Sequence, residues 1–182
     1  HQDVTLIEKN PILGRKLLLS GKGRCNLTNT CDLDSFLKRF SKNGQFLRDA
    51  FNKFFNLDLM RFFEERGLKL KTERQLRVFP ETDRSDSVVS LLKKELHKHK
   101  VKIIFRAAMK DILTQPLRAG AGLIQVTQVN GVKGLLLSDG RAISADKLIL
   151  ATGGISYSFT GSTGEGLEIA RKLGHRIVPL RP

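Results

Sequence analysis

Acidic residues, cysteines and long apolar runs are all scarce in this chain, and each shortage removes a class of function. There are 18 Asp and Glu against 32 Lys and Arg, a net charge of +14. Only two cysteines occur, Cys25 and Cys31, too few for a disulfide framework. Five residues separate them and no histidine lies close by, which fits no common zinc spacing, so no metal site is expected. No apolar stretch approaches the roughly 18 residues of a membrane span, and the first residues do not have the form of a signal peptide. A soluble domain in a reducing cytoplasm, with no membrane partner, is the expectation. No catalytic acid, base or nucleophile declares itself, and no Cys/His finger, aromatic RNA-binding strand or helix-turn-helix is apparent. The cations are spread along the chain, as on an ordinary solvated face, so no specific nucleic-acid partner is expected. A basic nucleic-acid-binding module remains the competing reading of the charge.

What is present is concentrated in residues 14–29, GRKLLLSGKGRCNLTN. Three glycines, four cations, two hydroxyls and two asparagines surround one apolar core, Leu17, Leu18 and Leu19. Glycine lets backbone N–H groups approach a ligand closely, and Arg and Lys neutralise negative charge. Such a loop suits a polyanion carrying a polar ring, although an exposed basic loop would have the same composition. Glu8 favours the ligand. It closes a short apolar, β-branched run, Val4-Thr5-Leu6-Ile7, as does the acidic residue that accepts from the adenosine ribose in dinucleotide-binding βαβ units. The glycine fingerprint of such units lies about 20 residues upstream, and here only seven residues precede Glu8. The expectation is therefore a partial domain, beginning after its first strand, phosphate loop and helix.

Along the chain, residues 4–8 and 101–105 read as parallel strands. Helices are expected over 33–40 (capped by Asp32), 45–55, 57–66 (capped by Asn56) and 85–99 (capped by Ser85 or Asp86). Phenylalanines at helical spacing between 36 and 63 read as core. A hairpin is expected at 68–79, turning at Glu73-Arg74-Gln75. Short strands over 109–114, 123–128 and 132–137, with turns at 120–122, Asn130-Gly131 and Asp139-Gly140, read as an antiparallel meander. Residues 147–150 should return to the parallel sheet, 164–173 should be helical, and 176–178 should begin another strand. The fold class is α/β: a Rossmann-like parallel sheet with helices and an antiparallel β-meander, of FAD/NAD(P)-binding type and lacking its first βα unit. Residues 1–182 read as a partial dinucleotide-binding domain, which the resemblance given next makes an FAD-binding one, with a helical and hairpin insertion over 32–84 and the meander over 107–145. The substrate domain is expected to be absent.

Ile7-Glu8-Lys9-Asn10-Pro11, Gly14-Arg15-Lys16-Leu17 and Ser20-Gly21-Lys22-Gly23-Arg24-Cys25-Asn26-Leu27-Thr28-Asn29 together resemble the aminoacetone-oxidase/BaiN-like FAD-dependent flavoproteins. That family lies in the glutathione-reductase-like FAD/NAD(P)-binding superfamily. Arg77-Val78-Phe79-Pro80, Ala151-Thr152-Gly153-Gly154, Thr160-Gly161-Ser162-Thr163-Gly164 with Gly166, Gly174-His175 and Pro179-Leu180-Arg181-Pro182 extend the likeness in order. The resemblance implies an FAD-dependent oxidoreductase passing electrons through bound flavin, with an inactive truncated remnant as the alternative. Glu8 would bind the adenosine ribose. Lys9, Arg15 and Lys16 would serve the phosphates or the adenosine side. Ser20, Gly21, Gly23, Arg24, Cys25, Asn26 and Thr28 would line the path from pyrophosphate to isoalloxazine. Met109 would hold the adenine edge through main-chain atoms. Ala151, Thr152, Gly153 and Gly154 end a parallel strand, where open α/β sheets place ligands. A redox disulfide between Cys25 and Cys31 is not expected, because the motif involves only the first. In flavoenzymes the cofactor carries the electrons, so the lack of a triad does not argue against an enzyme. The substrate is a small molecule of unspecified identity, and NADH or NADPH is the candidate electron donor.

Overall fold

In the computed structural model, residues 3–116 and 129–180 are described. The chain runs β1 (Thr5–Glu8), α1 (Arg15–Leu19), β2 (Thr28–Asn29), α2 (Leu33–Leu37), α3 (Arg48–Lys53), α4 (Asn56–Glu64), β3 (Leu70–Glu73), β4 (Arg77–Pro80) and α5 (Ser85–Lys98). It continues through β5 (Lys102–Phe105), β6 (Met109–Pro116), β7 (Val129–Leu137), β8 (Ala142–Ser144) and α6 (Glu165–Lys172). Two units result: His1–Leu13 with Val101–Pro182, and Gly14–Lys100. The helices and hairpin of residues 32–84 fall in the second unit and the meander in the first.

In the first unit β1 and β5 pair in parallel, Thr5 opposite Lys102 through Glu8 opposite Phe105. β6, β7 and β8 form the antiparallel sheet. Its inner face, Leu135 and Leu137, joins Ala107 in a core against which Ile7, Ile104, Met109 and Leu148 pack. In the second unit β2, β4 and β3 make a small antiparallel sheet. Its core gathers Cys25, Phe63, Leu68, Val88 and Leu91. The architecture is the expected α/β one, with a parallel pair, helices and antiparallel sheets.

Several local expectations need correction. Asn130-Gly131 is not a turn but part of β7. Thr114 pairs with Val132 and Gln115 with Asn130, leaving Gly131 (φ 71°) as the extra residue of a bulge. Residues 147–150 form no strand. A strand needs a neighbour's donors and acceptors, and among the described residues β1 and β5 pair only with each other. Leu148 packs inward, whereas Ile149 is 92% exposed. Residues 176–178 likewise join no ladder. The strand expected at 123–128 and the turn at 120–122 lie outside the described residues.

The helices are shorter than their periodicity suggests. α2 starts at the Asp32 cap, which accepts from Ser35 N, but winds into a 3-10 segment, Lys38–Leu47, that runs through Asn43-Gly44. Asn56 is not a cap. It is buried within the first turn of α4, where its Nδ2 donates to the carbonyls of Asn29 (2.8 Å) and Cys31 (2.9 Å). Asp58 instead accepts from Phe55 N at 2.9 Å. Arg84 occupies the N-cap of α5, and Ser85 donates to Leu18 O at 3.0 Å.

The phenylalanine stripe divides. Phe63 is 4% exposed in the core. Phe36, Phe51 and Phe55 form a half-buried aromatic cluster with ring centroids 5.2–5.5 Å apart, and Phe46 is 88% exposed. Phe63→Ala should therefore cost about 3–5 kcal/mol of stability. Phe46→Ala should stay within about 0.5 kcal/mol of wild type. Denaturant melts of the two variants check the division.

Candidate functional site

The residues expected to hold a cofactor fall into two groups, one in each unit. In the first unit, β1 ends at Glu8 because an apolar run meets Lys9-Asn10-Pro11, and proline can neither donate to a ladder nor prolong the strand. The Glu8 carboxylate is fixed at once by its own chain. Asn10 donates to Oε1 through both its backbone N and its Nδ2, each at 2.8 Å. The same Nδ2 donates to Thr160 O at 3.1 Å. Lys9 extends the connection, since its Nζ donates to Thr163 Oγ1 at 2.9 Å and to both Glu165 oxygens at 3.1 Å. Thus Glu8-Lys9-Asn10 is tied along the 160–165 segment that leads into α6.

Ala151-Thr152-Gly153-Gly154 meets that segment as well. A Cβ on Gly166 would lie 2.1 Å from Thr152 Oγ1, so this turn and the first turn of α6 are in close contact. Beside Gly154 there is open space. Met109 opens β6, paired with Leu137, and its side chain packs on the core, which leaves its main chain as its polar contribution.

In the second unit the glycine loop has an unusual backbone. Gly21, Lys22, Gly23 and Cys25 all have positive φ. At Gly21 (φ 58°) a Cβ would come within 2.8 Å of Asn26 N, so only glycine fits there. Ser20 Oγ donates to Leu17 O at 2.7 Å, and Cys25 N donates to Ser20 O at 3.0 Å. Cys25 is 1% exposed and anchors the loop in the core; it and Cys31 are free thiols. Beyond it the chain lies along β4. Leu27 N donates to Val78 O and Thr30 N to Leu76 O, both at 2.9 Å, and Thr28 pairs with Val78. With its nitrogen turned toward them, the Asn26 amide donates to Val78 O (3.1 Å) and Thr28 O (3.0 Å). Two motifs fifty residues apart in sequence, RCNLTN and RVFP, are therefore one structural element.

Arg24 is placed between two carboxylates. Its Nε donates to Asp83 at 2.8 Å, its Nη1 to Glu73 at 3.2 Å, and its Nη2 contacts both. The guanidinium lies over the Phe79 ring, 4.1 Å from its centroid. Lys71 pairs with the same two acids. Arg15 and Lys16 are exposed on α1. The partners of Lys9, Arg24 and Glu8 (Asn10, Thr163, Glu165, Glu73 and Asp83) escaped the sequence reading. Only Glu73 and Asp83 carried a local hint, as acids in and just beyond the hairpin that the turn signal located.

Hydrogen bonds from Arg24 hold the Glu73 carboxyl below its ordinary 4.5. Bonds from Lys71, then Arg24, hold Asp83 below 3.8. A depressed carboxyl stabilises the fold above its ordinary value, and that contribution is lost as pH falls through the folded-state value. Acidification below about pH 4.5 should loosen this loop, and Glu73→Gln with Asp83→Asn should flatten the stability–pH slope there. Urea melts between pH 7 and pH 2.5 measure it; an unchanged slope would dismiss the cluster as a stability element.

The HI0933-like protein Rossmann domain matches residues 1–181. The 3-dehydro-bile acid delta(4,6)-reductase of Clostridium scindens is 32% identical over 180 residues, 98% of this chain and 39% of that protein. The ribosomal RNA dihydrouridine synthase of Haemophilus influenzae is 27% identical over 180 residues, 99% of this chain and 41% of that one. Its Escherichia coli namesake is 26% identical over 179 residues, 98% and 40%. The chain thus spans about two fifths of the length of these relatives. Matched over nearly all its residues, the chain belongs to the HI0933-like Rossmann domain family of FAD-binding flavoproteins.

Proposed function

We propose that the chain supplies the adenosine-side part of the FAD site in a flavoprotein oxidoreductase. The observation that carries this reading is Glu8, a carboxylate held in one orientation at the carboxyl end of a parallel strand. Ligands of open α/β sheets bind at such strand ends, and ribose hydroxyls donate to such a carboxylate. The remaining groups of the first unit suit the same ligand. Met109, which opens β6, is the proposed main-chain contact for the adenine edge, and the open space beside Gly154 admits close approach of backbone to cofactor. Bound FAD would supply the two-electron carrier. The chain's own residues bind and orient it, and Glu8 does so as an acceptor without transferring a proton.

The relatives' names include a reductase and two dihydrouridine synthases. Reduction of an unsaturated substrate, with NADH or NADPH as the source of electrons, is accordingly the proposed reaction class. A small molecule is the proposed substrate. RNA is the second reading, favoured by the net charge of +14. Arg66, Arg84 and Lys94 line one depression of about 430 Å3 in the second unit. Binding of ribosomal RNA that weakens steeply as salt rises, and that Arg84→Glu with Lys94→Glu abolishes, would establish the second reading.

The cofactor assignment is tested at Glu8. In the complete gene product, Glu8→Ala should weaken FAD binding by about 1–3 kcal/mol, the scale for losing a charged hydrogen-bond partner. Quenching of flavin fluorescence on titration gives the dissociation constant. An unchanged constant would remove Glu8 from the site.

A further inference from the structure

The geometry points to Asn10 as the residue that sets ribose recognition, and we propose that it is the positioning residue for Glu8. This rests on the FAD reading, because it concerns what Glu8 does for an adenine dinucleotide. The carboxylate of a strand-end glutamate turns about three side-chain torsions and would sample several orientations before a ligand arrives. Here one residue removes that freedom. Asn10 supplies two donors to a single oxygen, Oε1, from its backbone N and its Nδ2, both at 2.8 Å. A carboxylate oxygen with two donors on it is well satisfied, which assigns the other oxygen, Oε2, to the ribose hydroxyls.

The Nδ2 group has two hydrogens, and the second is used on Thr160 O at 3.1 Å. Rotating the amide to free one bond therefore costs the other. Asn10 is itself held by the loop into α6. Gly161 fits against it with no room to spare: its φ is 105°, and a Cβ there would lie 2.8 Å from Asn10 Nδ2 and 3.2 Å from Lys9 Cε. The Thr160-Gly161 turn thus acts on Glu8 through Asn10, although it does not touch Glu8. Aspartate at position 10 would have the same shape but could not donate from its side chain, and it would bring a second negative charge to Oε1. Alanine would keep only the backbone donor.

The test uses the complete gene product and two probes, ADP and 2′,3′-dideoxy-ADP, each titrated calorimetrically. The probes share the adenine and the pyrophosphate and differ only in the ribose hydroxyls. Wild type should bind ADP more tightly, and Glu8→Gln should reduce that preference. Asn10→Ala, Asn10→Asp and Gly161→Ala should each reduce the ratio of ADP to dideoxy-ADP affinity at least about fivefold, and Asn10→Ala should leave dideoxy-ADP affinity itself near wild type, since only the hydroxyl contact is lost there. Asn10→Asp keeps the side-chain volume, and Gly161→Ala keeps every polar atom, so a folding failure of Asn10→Ala leaves two independent measurements. If Glu8→Gln collapses the preference and all three other variants retain it, the positioning role is overturned while the FAD reading stands. If both probes weaken equally, Asn10 is structural only and the proposal fails. If wild type shows no preference, or Glu8→Gln keeps it, Glu8 does not bind ribose and the FAD reading itself fails at this residue.

Discussion

A backbone that leaves the right-handed region four times within five residues must be held from both sides. Gly21 and Gly23 take positive φ without a side-chain penalty, but Lys22 and Cys25 do not, and each such residue costs on the order of 1 kcal/mol. The second unit supplies the compensation by three routes. Cys25 is buried with Phe63, Leu68, Val88 and Leu91. The following residues add a strand to β4. Arg24 spans Glu73 and Asp83 while stacked on Phe79. Each route joins the loop to a different element, the helical core, the sheet and the hairpin, so the strained conformation depends on the whole unit having folded.

That dependence explains why the family motifs are spaced as they are. RVFP acts on the loop through packing and backbone pairing. Its Val78 and Phe79 are buried, its backbone receives Leu27 and Thr28, and Phe79 carries the Arg24 guanidinium. Asn56 does a related task from α4 by capturing the carbonyls of Asn29, which ends β2, and of Cys31. A buried asparagine with two carbonyl acceptors, and its own carbonyl taken by Leu57 N, has its hydrogen-bonding capacity filled. The core of the second unit and its loop are therefore one construction.

Much of this was legible in the sequence because it is local. The apolar β-branched run ending in Glu8, the Asp32 cap, the hairpin around Glu73-Arg74-Gln75 and the inward stripe of α5 all depend on neighbours a few residues away. The misreadings share a non-local cause. Asn130-Gly131 carries a strong turn signal, but a long β6–β7 ladder runs through it and uses its glycine as a bulge. Residues 147–150 have strand composition, yet composition cannot supply a pairing partner. Asn56 looks like a cap because caps and buried tethers need the same amide. The partners of Lys9 and Arg24 were also out of reach, because Thr163, Glu165, Glu73 and Asp83 lie far from them in sequence.

Those partners bear on how the two cations can serve an anion. Lys9 rests on Glu165 with side chains 26% and 48% exposed, so solvent screens the pair. Such exposed pairs contribute about 0–1 kcal/mol. A pyrophosphate carries more charge than Glu165 and could take over the ammonium at little cost, with Thr163 retained as a second acceptor. Lys9 is thus stored near Glu8 by a bond weak enough to exchange. Arg24 differs. Its donors are divided between two acids, its face is covered by Phe79, and a ligand taking it over would leave Glu73 and Asp83 with Lys71 alone. Removing it would also release one of the three anchors on a strained loop. Of these two cations, then, Lys9 is held by the pair that an anion would exchange more readily, and Arg24 keeps the glycine loop in shape.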